Sequence, residues 1–122
     1  MISGKIEKDL YPRLGITLHA KSESVSFKAL VDSGFDGELA LPYSLAFDLK
    51  LKVIRFAKVT YANGQKTDEI LCRAEIDWHD QRKIVEVLLS HDDEPAIGTA
   101  LLQDHFMTMD FKKNVLAISS QQ

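Results

Sequence analysis

The chain has 122 residues, 45% of them hydrophobic and 27% charged, with a formal net charge of −3 at pH 7. That length suits one domain, spanning 1–122, whose core needs no disulfide or metal staple, and the acidic balance gives no electrostatic reason to expect nucleic acid or an anionic membrane as partner. No apolar run approaches the ~20 residues of a membrane-spanning helix, residues 1–9 carry no targeting segment, and Cys72 is alone, which excludes an internal disulfide and fits a reducing, cytoplasmic setting.

Arg13 to Ala20 alternates, with Leu14, Ile16, Leu18 and Ala20 on one face. Glu23 to Val31 alternates again, with Val25, Phe27, Ala29 and Val31 on one face. This period of two predicts a pair of half-buried strands, joined as a hairpin through the polar Ala20 to Ser24. The second strand delivers Asp32 into Asp32-Ser33-Gly34-Phe35-Asp36-Gly37, and β structure resumes at Leu39-Ala40-Leu41-Pro42. Taken alone, Asp-Ser-Gly is a turn signal. A carboxylate brought by a buried strand into a glycine-bracketed loop is also a candidate working group.

Pro42 suits a helix first turn, and Leu45, Ala46 and Leu49 share a face, so a helix is expected to run to about Leu51. Val53 to Tyr61 and Gln65 to His79 predict a hairpin around Asn63-Gly64, the strongest two-residue turn signal. That turn would oppose Lys58 to Glu69, Thr60 to Thr67 and Phe56 to Leu71, all favourable cross-strand pairs. The arm's tip, Thr60 to Asp68, is polar and should project beyond the core. On the return strand Ile70, Cys72, Ala74, Ile76 and Trp78 face inward, which makes Cys72 a packing residue rather than a nucleophile.

A polar turn at His79 to Arg82 leads to a strand from Lys83 to Ser90. His91-Asp92-Asp93-Glu94 reads as a solvated loop, because its adjacent carboxylates lack the spacing of a calcium loop. His19, His79, His91 and His105 form no ligand pattern, so neither metal nor cofactor is expected. Pro95-Ala96-Ile97-Gly98 is an apolar approach to a glycine, and Thr99 is placed to cap a helix from Ala100 to about His105. Met107, Met109 and Phe111 alternate as a strand, Lys112-Lys113-Asn114 is a turn, Val115 to Ile118 is a last strand, and Ser119 to Gln122 is a polar tail. Strand, glycine turn and helix occur in the same order around Asp32 and around Gly98, a weak sign of duplication.

The segment Leu30-Val31-Asp32-Ser33-Gly34-Phe35-Asp36-Gly37-Glu38-Leu39-Ala40-Leu41-Pro42 resembles the catalytic signature of the retropepsin-like aspartic proteases, in particular their small prokaryotic members. Ala96-Ile97-Gly98-Thr99-Ala100-Leu101-Leu102, followed by Met107-Thr108-Met109-Asp110-Phe111, resembles their second signature. The similarity spans residues 13 to 118, with the long hairpin between the two motifs.

This resemblance implies a mainly β, single-domain retropepsin-like acid protease barrel with one or two short helices. It implies a homodimeric endopeptidase acting on peptide or protein substrate, in which two Asp32 carboxylates, one per chain, share a proton and activate water. By the same resemblance Ser33 and Gly34 support the active-site loop. Asp36, Gly37, Ala62, Asn63, Gly64, Ile97 and Gly98 surround the substrate, with Ala62-Asn63-Gly64 as the flap and Gly98 behind the catalytic loop where a side chain would clash. The alternative is a non-catalytic dimeric module binding extended peptides on the same fold. Thr99 stands where retroviral relatives carry an arginine paired with the acid matching Asp36. The flap has one glycine where retroviral relatives are glycine-rich, so its motion is expected to differ, and the chain runs on past Phe111, so the dimer interface is expected to differ too.

Overall fold

Alternating apolar strands with short connections have to close on themselves or be covered, because an open sheet leaves one apolar face in water. The computed structural model, which describes residues 1–21, 23–60 and 62–120, resolves this by closure. Its elements are β1 (Ile2–Ile6), β2 (Pro12–His19), β3 (Ser24–Val31), β4 (Leu39–Pro42), α1 (Tyr43–Asp48), β5 (Lys52–Thr60), β6 (Lys66–Trp78), β7 (Gln81–Ser90), β8 (Ala96–Ile97), α2 (Thr99–Leu102), β9 (Phe106–Asp110) and β10 (Val115–Ser119). The sheet order is β5-β6-β7-β4-β8-β3-β2-β1-β10-β9, and β6 pairs again with β2 through Leu18–Ile76 and His19–Glu75. That last pairing closes a six-strand barrel of β2, β3, β8, β4, β7 and β6. The long hairpin arm continues from β6 to β5, and the ribbon β1-β10-β9 continues from β2.

The inward faces are those the alternation predicts. Leu14, Ile16 and Leu18 of β2, Ala29 and Val31 of β3, Cys72, Ala74, Ile76 and Trp78 of β6, and Val85, Val87 and Leu89 of β7 are buried together. Val25, Phe27 and Ile70 are half-buried against them. Each full burial of a large apolar side chain contributes ~1.5–3 kcal/mol, which makes the barrel interior the chief stabilising region.

The structure departs from the sequence expectations in several places and adds a strand they did not contain. Residues 2–6 form β1, which pairs with β2 and with β10. The α1 helix ends at Asp48, with Pro42 as its N-cap and last residue of β4; Leu49 is its C-cap and Lys50 turns into the left-handed region at φ 54°. The second helix begins at Thr99 with Gly98 as N-cap, and ends at Leu102, so Thr99 is not its cap.

The β5–β6 register is shifted by one residue from that predicted. Lys58 opposes Asp68, Thr60 opposes Lys66 and Phe56 opposes Ile70. A two-residue Asn-Gly turn of type I′ needs positive φ at both positions. Here Gly64 has φ 84° and Asn63 is not among the positive-φ residues; its side-chain oxygen instead accepts the Gln65 N–H at 3.0 Å. The loop is accordingly longer, and Tyr61 and the terminal Gln121 and Gln122, to which the strand and the tail were expected to extend, lie outside the described residues. A two-residue turn with both φ positive does occur, at His79 (54°) and Asp80 (61°), which pairs Trp78 with Gln81 and starts β7 two residues earlier than expected.

Candidate active site

β3 ends at the buried Val31, and Asp32, half-buried, is the first residue beyond it. Its loop is tied down almost entirely by backbone. The Phe35 N–H donates to Asp32 O at 3.1 Å and closes a tight turn. Within that turn the Gly34 N–H donates to Asp32 Oδ1 at 2.9 Å, which aims the carboxylate back over its own loop.

The segment Ile97 to Ala100 holds the same loop from behind. The Asp32 N–H donates to Ile97 O at 3.0 Å, the Gly98 N–H to Glu38 O at 3.1 Å, the Thr99 N–H to Phe35 O at 2.9 Å and the Ala100 N–H to Gly37 O at 3.2 Å. Thr99 Oγ1 adds a bond to Phe35 O at 3.3 Å. These bonds bring two backbones so close that a Cβ on Gly98 would lie 2.4 Å from Gly37 O and 2.5 Å from Phe35 O. Gly98 and Ile97 are buried, and β8 is parallel to the end of β3, with Leu30 opposite Ala96 and Val31 opposite Ile97.

In front of Asp32 lies a cleft of about 430 Å³. Asp32, Gly34, Phe35 and Asp36 form one side; Ala40, Leu88, Ser90, Asp92, Glu94 and Ala96 form the floor and far wall; Val59, Thr60 and Ala62 of the hairpin arm overhang it. Two larger surface hollows do not contain Asp32, and the Asp32 cleft is singled out by its chemistry, a carboxylate that accepts a backbone N–H of its own loop under an overhanging arm.

Of the residues that sequence reasoning assigned here, Asp32, Gly34, Asp36 and Ala62 line this cleft. Gly37, Ile97 and Gly98 lie behind the loop as its backing. Ser33 is exposed on the loop, and Asn63 and Gly64 are exposed at the hairpin tip, outside the cleft lining. Among the described residues Asp36 makes no ion pair with a cation; Thr99, where the resemblance expects an arginine, bonds Phe35 instead. Among the described residues no group of three or more His, Cys, Asp or Glu is placed to hold a metal ion, and no helix is long and apolar enough to cross a membrane.

Sequence reasoning missed two contributors. The Phe35 ring lies across Gly37 and reaches Gly98, filling the space that these two glycines leave. The loop 91–94, expected to be merely solvated, ends in Glu94, which lines the cleft and is gripped by Arg13 of β2 through Nε and, at 3.2 Å, Nη2. An arginine alternating out of a strand and an acid in a charged loop carry no local signal of their pairing.

Comparison with solved structures gives a retropepsin-like aspartic protease from Rickettsia conorii, 22% identical with a TM-score of 0.67, covering 97% of this chain and 88% of that one. EIAV protease, in a complex with the inhibitor HBY-793, is 16% identical with a TM-score of 0.60 over 80% of this chain and 90% of its own. Simian foamy virus (mac) protease is 17% identical with a TM-score of 0.56 over 75% of this chain and 92% of its own. No family model and no curated protein matches the sequence. The chain therefore has the fold of the retropepsin-like aspartic proteases, the mainly β barrel with two short helices that the two motifs implied.

Proposed function

We propose that this chain is an aspartic endopeptidase that works as a homodimer, with Asp32 as its catalytic residue. The observation that carries the reading is the seat of Asp32. It is a carboxylate in an Asp-Ser-Gly turn, bonded to its own loop's Gly34 N–H and backed by Gly98, and it opens into a cleft overhung by a hairpin. The fold shared with aspartic proteases supports it.

Water attack on a peptide carbonyl needs one group to take the water's proton and one to give a proton to the carbonyl oxygen. One chain supplies one Asp-Ser-Gly. In the proposed dimer the second group is Asp32 of the partner subunit. Two carboxylates that close share one proton, since both cannot ionise without strong repulsion. The ionised one draws a proton from the water as it attacks. The protonated one donates to the carbonyl oxygen, and the tetrahedral diol collapses with proton return to the leaving amine. Asp36 binds substrate backbone from the loop's far end, and Val59, Thr60 and Ala62 close over the peptide and exclude water.

The test is Asp32→Asn, which keeps shape and hydrogen-bonding capacity while removing acid and base. Hydrolysis of a mixed fluorogenic peptide library should fall by at least ~10³-fold, the loss expected when a general acid/base is removed, with the circular dichroism and melting of the folded protein retained. An excess of Asp32→Asn chains should also suppress the wild type by forming dead mixed dimers. Undiminished cleavage by the purified variant would refute the assignment, and wild type that binds a statine-type peptide without ever cleaving one would leave a peptide-binding module instead.

A further inference from the structure

The Asp32 loop leans on β8, and β8 is only two residues long. It pairs with β4 on one side and β3 on the other, and its bonds toward β3 include Leu30 N–H to Pro95 O at 2.9 Å and Asp32 N–H to Ile97 O at 3.0 Å. Before it runs an exposed charged loop, His91 to Asp93, whose His91 ring lies against the half-buried Tyr43 with 4.8 Å between ring centroids. A two-residue strand after a solvated loop needs an anchor at its start, or its carbonyls wander and the backing of Asp32 wanders with them.

The anchor present is Glu94, one residue before Pro95. Both of its carboxylate oxygens are taken by the Arg13 guanidinium, Oε2 by Nε and Oε1 by Nη2. A fork of this kind fixes orientation as well as distance. Arg13 is itself fixed. Its backbone is opposite Leu30 in the β2–β3 register, so the residue that grips Glu94 is the cross-strand neighbour of the residue that bonds Pro95. Its side chain is only 15% exposed. Its remaining donors go to the N-terminal turn, Nη1 to Asp9 Oδ1 at 2.9 Å and to Glu7 Oε1 at 3.3 Å, and Lys28 Nζ holds Glu7 Oε2 at 2.7 Å. The hydrogen bond from Arg13, followed by that from the Tyr11 N–H, lowers the Asp9 carboxyl to about 2, so it stays ionised.

We propose that Arg13 is a positioning residue for the Asp32 site: through Glu94 it fixes the start of β8, and so the Ile97 carbonyl that receives the Asp32 N–H. The catalytic part of this inference rests on the peptidase reading; the mechanical part does not, and the two separate in the experiment.

Amide exchange is followed by NMR in the folded full-length chain for wild type, Arg13→Gln, Arg13→Lys, Glu94→Gln and the double variant Arg13→Gln/Glu94→Gln. Expected in both single Gln variants is exchange of the Leu30 and Asp32 amides at least tenfold faster, with the β6–β7 ladder unchanged. Arg13→Lys, which keeps the charge but loses the fork, should fall between, and the double variant should be no faster than either single one. In a peptidase assay the Arg13 variants should lose kcat with KM nearly constant, because Arg13 does not line the cleft. Unchanged exchange at both amides would overturn the proposal, and so would a uniform rise across the whole barrel, which would mean Arg13 contributes only global stability. Local loosening in a wild type that cleaves no peptide would uphold the positioning role and sink the peptidase reading instead. If Arg13→Gln does not fold, Glu94→Gln and Arg13→Lys decide by the same two amides.

Discussion

Gly98→Ala tests the backing of the Asp32 loop with a single methyl group. Gly98 has φ −118° and ψ −176°, extended backbone open to any residue, so the objection to a side chain there is wholly steric. The new Cβ would lie 2.4 Å from Gly37 O, 2.5 Å from Phe35 O and 2.6 Å from a Phe35 ring carbon. Two of these are backbone atoms and cannot swing aside. Clearing even 3.0 Å moves Gly37 O by 0.6 Å (3.0 − 2.4). Those same oxygens accept the Ala100 and Thr99 N–H groups, so relief of the clash lengthens both bonds. Overpacking of this kind costs ~1–3 kcal/mol, and each bond given up costs ~1 kcal/mol, so a loss of about 2–4 kcal/mol is expected. Against a total of ~5–15 kcal/mol that is severe, and at ~4–6 °C per kcal/mol the melting temperature should drop by ~8–24 °C. Urea and thermal unfolding measure it, with Gly15→Ala as control, since a Cβ at Gly15 meets nothing within 4 Å. If Gly98→Ala unfolds within ~0.5 kcal/mol of wild type, as an exposed substitution would, the close approach is not real and the reasoning fails.

Other consequences can be measured on the same material. Exchange at residues 62 to 68, all exposed, should be the fastest of any strand-flanked segment, and a statine-type peptide should slow it, since Val59, Thr60 and Ala62 overhang the cleft; protection unaltered by bound peptide would argue against a flap. Burial pushes the Cys72 thiol up from its ordinary 9.0, so native protein should react with a disulfide reagent orders of magnitude more slowly than protein in urea, and equal rates would contradict its burial. Burial and the neighbouring His105 hold His79 below its ordinary 6.5. As pH falls the unfolded chain therefore takes up the proton first, so this contribution is complete above about 6.5 and is lost as pH falls through that value toward the folded one. Urea midpoints between pH 8 and 5 should fall more steeply for wild type than for His79→Asn, a residue that tolerates the left-handed φ; parallel curves would exclude His79 as a source.

What the sequence displayed and what it concealed divide along physical lines. Faces of strands were legible wherever one face is buried, as for Leu14, Ile16 and Leu18, because period-two patterning is burial itself written in sequence. β1 was hidden because its inward positions are Ile2, Gly4 and Ile6. The middle one must be glycine, since a Cβ there would lie 2.4 Å from Arg13 O, and the gap makes two apolar residues look isolated. The β5–β6 register was misjudged because both strands are polar toward the tip, so no buried face penalised a one-residue slip and the turn alone decided it. The tight His79-Asp80 turn went the other way. Its residues are weak turn formers, but buried Trp78, Val85 and Ala74 leave β6 and β7 one permissible register.

The Asp32 loop was legible for a different reason. Its geometry is made by backbone groups, and backbone leaves a trace in sequence only where it excludes side chains. The traces here are Gly34, Gly37 and Gly98, and the bonds that run between 32–38 and 97–100 are invisible without them. Side chains that brace such a loop carry no comparable trace. Arg13 and Glu94 are 81 positions apart, and neither sits in a motif. Thr99 in place of the arginine that the resemblance leads one to expect leaves untouched the Arg13–Glu94 fork, which under the proposed positioning role fixes the start of β8. What the substitution does change is Asp36, whose carboxylate has no cation beside it among the described residues and is left free to meet a peptide or a second chain.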